Sequence, residues 1–175
     1  MYKRQRAGFR IDLKGSNVHF GFDPDMICFG KAIANGHPLA ALVGKDGLKK
    51  AAEKVYFTGT QFFSAPPMAA AITTLDELKK FDAPKKLIKY GEKLNKRLVL
   101  VAEQKGFNLI ASGMPSMPYY RLDGVSFETH IKWIDECVKR GVYMLSYHNH
   151  FISLAHTEKD IDFIEGATKQ AFEAL

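Results

Sequence analysis

One lysine stands directly after a short apolar segment and a glycine. Residues 25–29 read Asp-Met-Ile-Cys-Phe, the pattern of a short buried strand, and Gly30 and Lys31 follow. A lysine that is partly desolvated at the exit of such a strand is a better nucleophile toward a carbonyl carbon. The segment therefore predicts that Lys31 can form a Schiff base. On composition alone, an exposed and purely structural lysine is the commoner outcome.

The Gly-Lys pair does not fit a phosphate-binding loop of the nucleotide-binding type. That loop has a glycine five residues before its second glycine, and a serine or threonine after the lysine. Asp25 and Ala32 occupy those two positions here. We therefore exclude this kind of nucleotide site.

The longer segment from Asp23 to Gly44 resembles the cofactor-lysine segment of class III pyridoxal-phosphate (PLP) aminotransferases, which include glutamate-1-semialdehyde aminomutase. Three other segments are similar to the same family, in the same order: Arg-Ala-Gly-Phe-Arg at 6–10, the turn and helix at 57–71, and the stretch at 141–161. The resemblance covers residues 6–175 and corresponds to the carboxy-terminal part of a usual family member, rather less than half of it.

The resemblance implies an α/β protein with the architecture of fold-type I PLP-dependent transferases, of which we expect a carboxy-terminal fragment. Residues 6–82 would be the carboxy-terminal piece of the large PLP-binding domain, and residues 83–175 a small carboxy-terminal α+β domain. Residues 1–5 fit neither domain and are expected to be a non-native leader. Lys3 aligns with the family's aspartate that pairs with the pyridine nitrogen, and the similarity is lost before Arg6.

The pattern of apolar residues predicts the elements of both parts. Pro66-Pro67 opens a helix that runs to about Leu78, because proline is tolerated in a first helical turn. Thr157 with Asp160 is typical of a capping box that opens a last helix. The remaining predictions are helices near 87–101 and 127–138, and strands at 107–112, 119–123, 142–147 and 151–154.

The resemblance also implies the site and its chemistry. Lys31 would hold PLP as a Schiff base and act as the catalytic base. Thr60 matches a threonine that in the family reaches the cofactor phosphate of the neighbouring subunit, with Thr58 as the alternative. A homodimer with shared active sites follows from that match.

Two functions are consistent with this site in the intact protein. One is transamination between a small amino donor and an oxo acceptor, and the other is isomerisation of an amino semialdehyde by an aminomutase. In either case we expect this truncated chain alone to be inactive. The alternative from another class is a catalytically inactive fragment or a binding remnant of such an enzyme.

Charge and hydropathy exclude two kinds of partner. The formal charge of +6 comes from lysines spread along predicted helices, mostly beside acidic residues, so we predict no nucleic-acid surface. No apolar run approaches the roughly 20 residues that span a bilayer, so we predict no membrane partner and a cytoplasmic protein.

Three histidines lie close together near the carboxy-terminal end of the sequence, and the two cysteines lie far apart. His148, His150 and His156 could form a site, but neither cysteine nor carboxylate accompanies them at ligand spacing, so we predict no metal. Cys28 and Cys137 lie far apart within apolar patterns and are predicted to be buried, reduced thiols.

Overall fold

The computed structural model of the chain describes the backbone of residues 2–4 and the full residues 8–60 and 62–175. Met1 and Gln5 of the expected leader, with Arg6, Ala7 and Gln61, lie outside the described residues. The chain forms two compact units, Met1–Pro84 (unit 1) and Lys85–Leu175 (unit 2). The predicted boundaries of the leader and of the two domains stay a prediction.

Unit 1 contains a three-stranded sheet in the order β1 (Tyr2–Arg4), β2 (Met26–Phe29), β3 (Ala41–Gly44). Strand β1 is parallel to β2, with Lys3 opposite Ile27, and β3 is antiparallel to β2, with Val43 opposite Ile27. The first part of the chain, including a segment of the expected leader, thus forms a small sheet of its own. The elements of unit 1 are β1 (Tyr2–Arg4), α1 (Ser16–His19), β2 (Met26–Phe29), a 3₁₀ turn (Lys31–Ala34), β3 (Ala41–Gly44), a second 3₁₀ turn (Asp46–Leu48), α2 (Lys49–Ala52) and α3 (Ala65–Lys80).

Helix α3 covers the 3₁₀ turn that follows β2. Its two prolines lie in the first turn, as predicted, and its run of alanines permits a close approach. Ala71 is buried in one apolar cluster with Phe9, Ile33 and Ala34. The core of unit 1 therefore forms around the residues directly after Lys31.

Unit 2 is a small α+β unit. It contains α4 (Ala83–Gln104), β4 (Asn108–Ser112), β5 (Tyr119–Asp123), α5 (Phe127–Lys139) and α6 (Glu158–Glu173), with α4 beginning just before the boundary. Strands β4 and β5 are antiparallel. The core lies between them and the three helices, with Trp133, Leu98 and Ile161 among its fully buried side chains. These elements confirm the helices near 87–101 and 127–138 and the strands at 107–112 and 119–123 that the apolar periodicity predicts.

Helix α6 begins with the predicted capping box. The backbone N–H of Thr157 donates to Asp160 at 2.6 Å. Ion pairs join the outer faces of α4 and α6, where charges near a surface contribute little to stability and mainly fix the register of the helices. The pairs are Lys93–Glu158, Arg97–Asp162, Arg97–Glu165 and Lys105–Glu173.

The strands predicted at 142–147 and 151–154 are wrong. This segment is irregular, and its backbone bonds to the loop before β5 instead of to itself. The N–H of His150 donates to the carbonyl of Pro118 at 2.7 Å, and that of Ile152 to the carbonyl of Ser116 at 3.1 Å. Within the described residues, no helix combines the length and apolar character needed to cross a membrane.

Candidate active site

Lys31 lies where β2 ends and its turn begins. Gly30 is extended, with φ −164° and ψ −156°, and Lys31 has a φ of 59°, in the left-handed region. The N–H of Ile33 closes the turn by donating to the carbonyl of Gly30 at 3.4 Å, and that of Asn35 donates to Ala32 at 3.3 Å. A positive φ is uncommon for a residue other than glycine, and such strained residues cluster at functional sites.

The Lys31 side chain is exposed, and among the described residues its amine has no hydrogen-bond or ion-pair partner. Lys45, at the end of the neighbouring strand, is different. Its ammonium lies 2.7 Å from a carboxylate oxygen of Asp23 and 3.4 Å from one of Asp25, and hydrogen bonding to Asp23 raises the pKa of Lys45. Lys45 is thus engaged as a charged partner, whereas the amine of Lys31 is accessible to a carbonyl group.

The two candidate threonines lie in the exposed segment before α3. Thr58 and Thr60 flank Gly59, whose carbonyl accepts a 2.9 Å bond from the N–H of Phe62. Neither threonine hydroxyl is hydrogen-bonded within the described part of the chain, and no such bond joins either residue to Lys31. The structure therefore leaves both hydroxyls available and does not separate Thr58 from Thr60.

The start of α3 is a poor anion site by itself. A helix usually offers its first backbone N–H groups to an anion. Here Pro66 and Pro67 occupy the first turn and have no N–H. A phosphate held in this region would depend on the threonine hydroxyls and the loop backbone that precede the helix.

The three neighbouring histidines do not converge. His150 accepts a 3.1 Å bond from the N–H of Leu145, and burial lowers its pKa. His148 donates to the carbonyl of Asn149 at 2.8 Å, and His156 accepts from the N–H of Ser153 at 3.0 Å. In the part of the chain that the structure describes, no group of three or more histidine, cysteine or acidic side chains could hold a metal ion.

The cysteines differ in exposure. Neither Cys28 nor Cys137 forms a disulfide within the described residues. Cys137 is fully buried, as predicted, whereas Cys28 is only half-buried, so the prediction of burial is wrong for Cys28.

Sequence comparison decides the family. The family model for class III aminotransferases matches residues 16–158. The chain belongs to this family. Its similarity to curated members extends over most of its length: aminopentol aminotransferase of Sphingopyxis macrogoltabida is 39% identical over 171 residues, which are 97% of this chain and 40% of the relative.

Other family members show the same partial coverage. The 3-aminobutyryl-CoA aminotransferase of Cloacimonas acidaminovorans is 32% identical, over 95% of this chain and 41% of that protein. The glutamate-1-semialdehyde 2,1-aminomutase of Pyrobaculum islandicum is 29% identical, over 97% of this chain and 44% of that protein. The chain thus spans less than half the length of the relatives that it matches.

Solved structures of the family confirm the predicted fold. The PLP internal aldimine form of the Sphingopyxis sp. MTA144 FumI protein has a TM-score of 0.93 and 38% identity, over 99% of this chain and 42% of that one. An omega-transaminase from Sphaerobacter thermophilus, 18% identical over 98% of this chain and 43% of that one, shares the fold with a TM-score of 0.86. PLP, the predicted cofactor, is the group that the FumI structure holds.

Proposed function

We propose that the chain carries the lysine-bearing part of a PLP-dependent enzyme that transfers amino groups. One observation supports this above all: Lys31 lies on a left-handed turn at the end of a strand, and its exposed amine has no partner among the residues that the structure describes. The family match and the cofactor of the FumI structure support the same proposal.

The available residues fit the cofactor. An aldehyde needs an accessible amine for covalent attachment, which Lys31 offers. A phosphate needs hydrogen-bond donors, and the hydroxyls of Thr58 and Thr60 have no partner among the described residues. By family resemblance we assign the phosphate contact to Thr60, across the interface of a homodimer.

Each residue then has a defined task. PLP, when bound, withdraws electrons from the substrate's α-carbon and so makes its proton easier to remove. Lys31 attaches the cofactor, and its amine, when free, takes that proton and returns it as a general acid. Thr60 holds the phosphate and so fixes the position of the reacting group.

We favour transamination between an amine donor and an oxo acceptor. The two relatives at 39% and 32% identity are named aminotransferases. Aminomutation is the second candidate because several aminomutases match at 28–31% identity over similar lengths. We further propose that the protein is cytoplasmic.

A segment exchange tests amino transfer. Residues 6–175 would replace the matching segment of the Sphingopyxis aminopentol aminotransferase, and transfer from amine donors to an oxo acceptor would be followed in the presence of PLP. Lys31→Arg should lower turnover by about a hundredfold or more, because both the attachment point and the base are lost. Lys45→Arg is the matched control and should leave turnover unchanged.

Two other outcomes would be decisive. A folded exchange protein that holds PLP but transfers no amino group would favour the inactive remnant. Full activity of the Lys31→Arg protein would refute the proposed role of Lys31.

A further inference from the structure

The conformation of Lys31 needs support from its surroundings. Its positive φ is disfavoured for a residue with a side chain, and such a residue keeps that conformation only where contacts enforce it. Asn35, at the other end of the same turn, also has a positive φ of 43°. Asparagine tolerates this region better than most residues and often ends a helical turn, so Lys31 is the disfavoured residue of this turn.

Residues 8–10 pack against this turn from a distant part of the sequence. The ring of Phe9 stacks on that of Phe29, with centroids 5.3 Å apart and an interplanar angle of 11°. Gly8 is buried, and a Cβ at Gly8 would lie 3.4 Å from the Cβ of Ala32 and 3.2 Å from a guanidinium nitrogen of Arg10. Phe29, two residues before Lys31, thus contacts this segment, and Ala32, one residue after Lys31, lies where a side chain at Gly8 would touch it.

We propose that Gly8 is a positioning residue for Lys31, an inference that rests on the proposed function. With no side chain, the Gly8 backbone approaches the methyl group of Ala32 closely enough to keep the turn in its left-handed conformation. In this conformation the turn leaves the amine of Lys31 without a partner among the described residues. A side chain at Gly8 would press on Ala32 and loosen the hydrogen bonds that close the turn.

A second glycine with a positive φ, Gly21, provides the control. It separates the effect of the contact at Gly8 from the backbone strain that any substitution at a positive φ causes. Gly8 has a φ of 60° and Gly21 a φ of 67°, so alanine suffers similar backbone strain at both positions. A Cβ at Gly21 would meet nothing within 4 Å. A difference between Gly8→Ala and Gly21→Ala therefore reports the contact with Ala32 and Arg10.

The first measurement is amide hydrogen exchange of the 175-residue chain without cofactor. The N–H groups of Ile33 and Asn35 close the turn, so their exchange reports its opening. We expect Gly8→Ala to accelerate their exchange by about fivefold or more, and Gly21→Ala to leave it unchanged. Amides in the middle of α3, which belongs to the same unit as the turn, serve as a check that unit 1 remains folded.

The second measurement follows the lysines themselves. The rate of acetylation of Lys31 relative to Lys45 would be recorded against pH by peptide mass spectrometry. Gly8→Ala should change this profile, whereas Gly21→Ala should reproduce that of the unchanged chain. If Gly8→Ala does not fold, Phe9→Leu, which keeps an apolar side chain but removes the ring stacked on Phe29, should produce the same change.

Equal exchange of Ile33 and Asn35 in the two glycine variants, with equal acetylation profiles, would overturn the inference. The cofactor is tested separately: each variant is built into the exchange protein described under Proposed function, incubated with PLP and reduced with borohydride. If no variant forms an adduct at Lys31 while exchange changes only in Gly8→Ala, the proposed function fails and the positioning of the turn stands.

Discussion

A close approach between α4 and the loop before β5 gives a quantitative prediction for Gly91. This buried residue of α4 faces the loop before β5, and a Cβ at Gly91 would lie 1.8 Å from the carbonyl oxygen of Pro115. Because real Cβ contacts are essentially never below 3.0 Å, helix and loop must separate by at least about 1.2 Å, the difference between these two distances. The loop cannot move freely, since the carbonyl of Ser116 accepts a bond from Ile152.

Gly91→Ala should therefore destabilise the chain. Overpacking costs about 1–3 kcal/mol, with a larger value where backbone meets backbone, and the helix propensity of alanine returns about 1 kcal/mol. We expect a net loss of about 2 kcal/mol, which for a chain of this size lowers the Tm by roughly 4–8 °C. Urea unfolding followed by the fluorescence of Trp133, the chain's single tryptophan, which is fully buried in unit 2, measures the loss.

The control is a second helical glycine in the same unit. A Cβ at Gly166 of α6 would meet nothing within 4 Å, so Gly166→Ala should stabilise the chain by about 0.5–1 kcal/mol through helix propensity alone. A Gly91→Ala chain as stable as the unchanged chain would show that α4 and the loop do not approach as described.

Three further predictions concern unit 2. Because burial holds the pKa of His150 below its usual 6.5, the unfolded chain takes up the proton first. Stability should therefore fall as the pH drops from about 6.5 through the folded pKa, and His150→Gln should reduce this pH dependence in urea titrations; an unchanged dependence would contradict the burial of His150. Burial raises the pKa of the Cys137 thiol to about 12, so a thiol reagent at pH 8 should modify Cys28 first and Cys137 only on unfolding, as peptide mass spectrometry would show; equal rates would contradict the burial of Cys137. Thr157→Ala, which removes the capping hydroxyl of α6, should cost about 1 kcal/mol in urea unfolding; an unchanged midpoint would mean that the cap is not formed.

The sequence predicts best where the signal is local. Helix α5 and strands β4 and β5 follow from apolar periodicity. The capping box of α6 follows from two residues three apart, which the structure joins by a 2.6 Å bond. In each case the residues that decide the structure are near neighbours in the chain.

Non-local bonding explains the failure at 142–154. Apolar runs around the His148-Asn149 turn are typical of a hairpin, but the N–H groups of His150 and Ile152 bond to residues more than 30 positions earlier. No local pattern reports such partners. These two N–H groups find their acceptors in the loop before β5, so they do not need a partner strand.

The candidate site was predictable in part. The string from Asp23 to Gly44 indicates Lys31 and its strand, which the structure places as β2 and the turn after it. The left-handed conformation of Lys31 was not predictable from its neighbours in the sequence. The residues that we propose to support it, 8–10, lie more than 20 positions away. The roles of Lys31 and Thr60 remain predictions.

The most direct test of the account is to locate the covalent attachment of PLP. The exchange protein, which carries residues 6–175 within the Sphingopyxis aminopentol aminotransferase, would be incubated with PLP, reduced with borohydride and digested, and every lysine peptide would be examined by mass spectrometry. The account predicts that the adduct lies on Lys31 and disappears in Lys31→Arg, while Lys45 remains unmodified. An adduct spread over many lysines, or confined to another one, would contradict the assignment of Lys31 as the cofactor lysine.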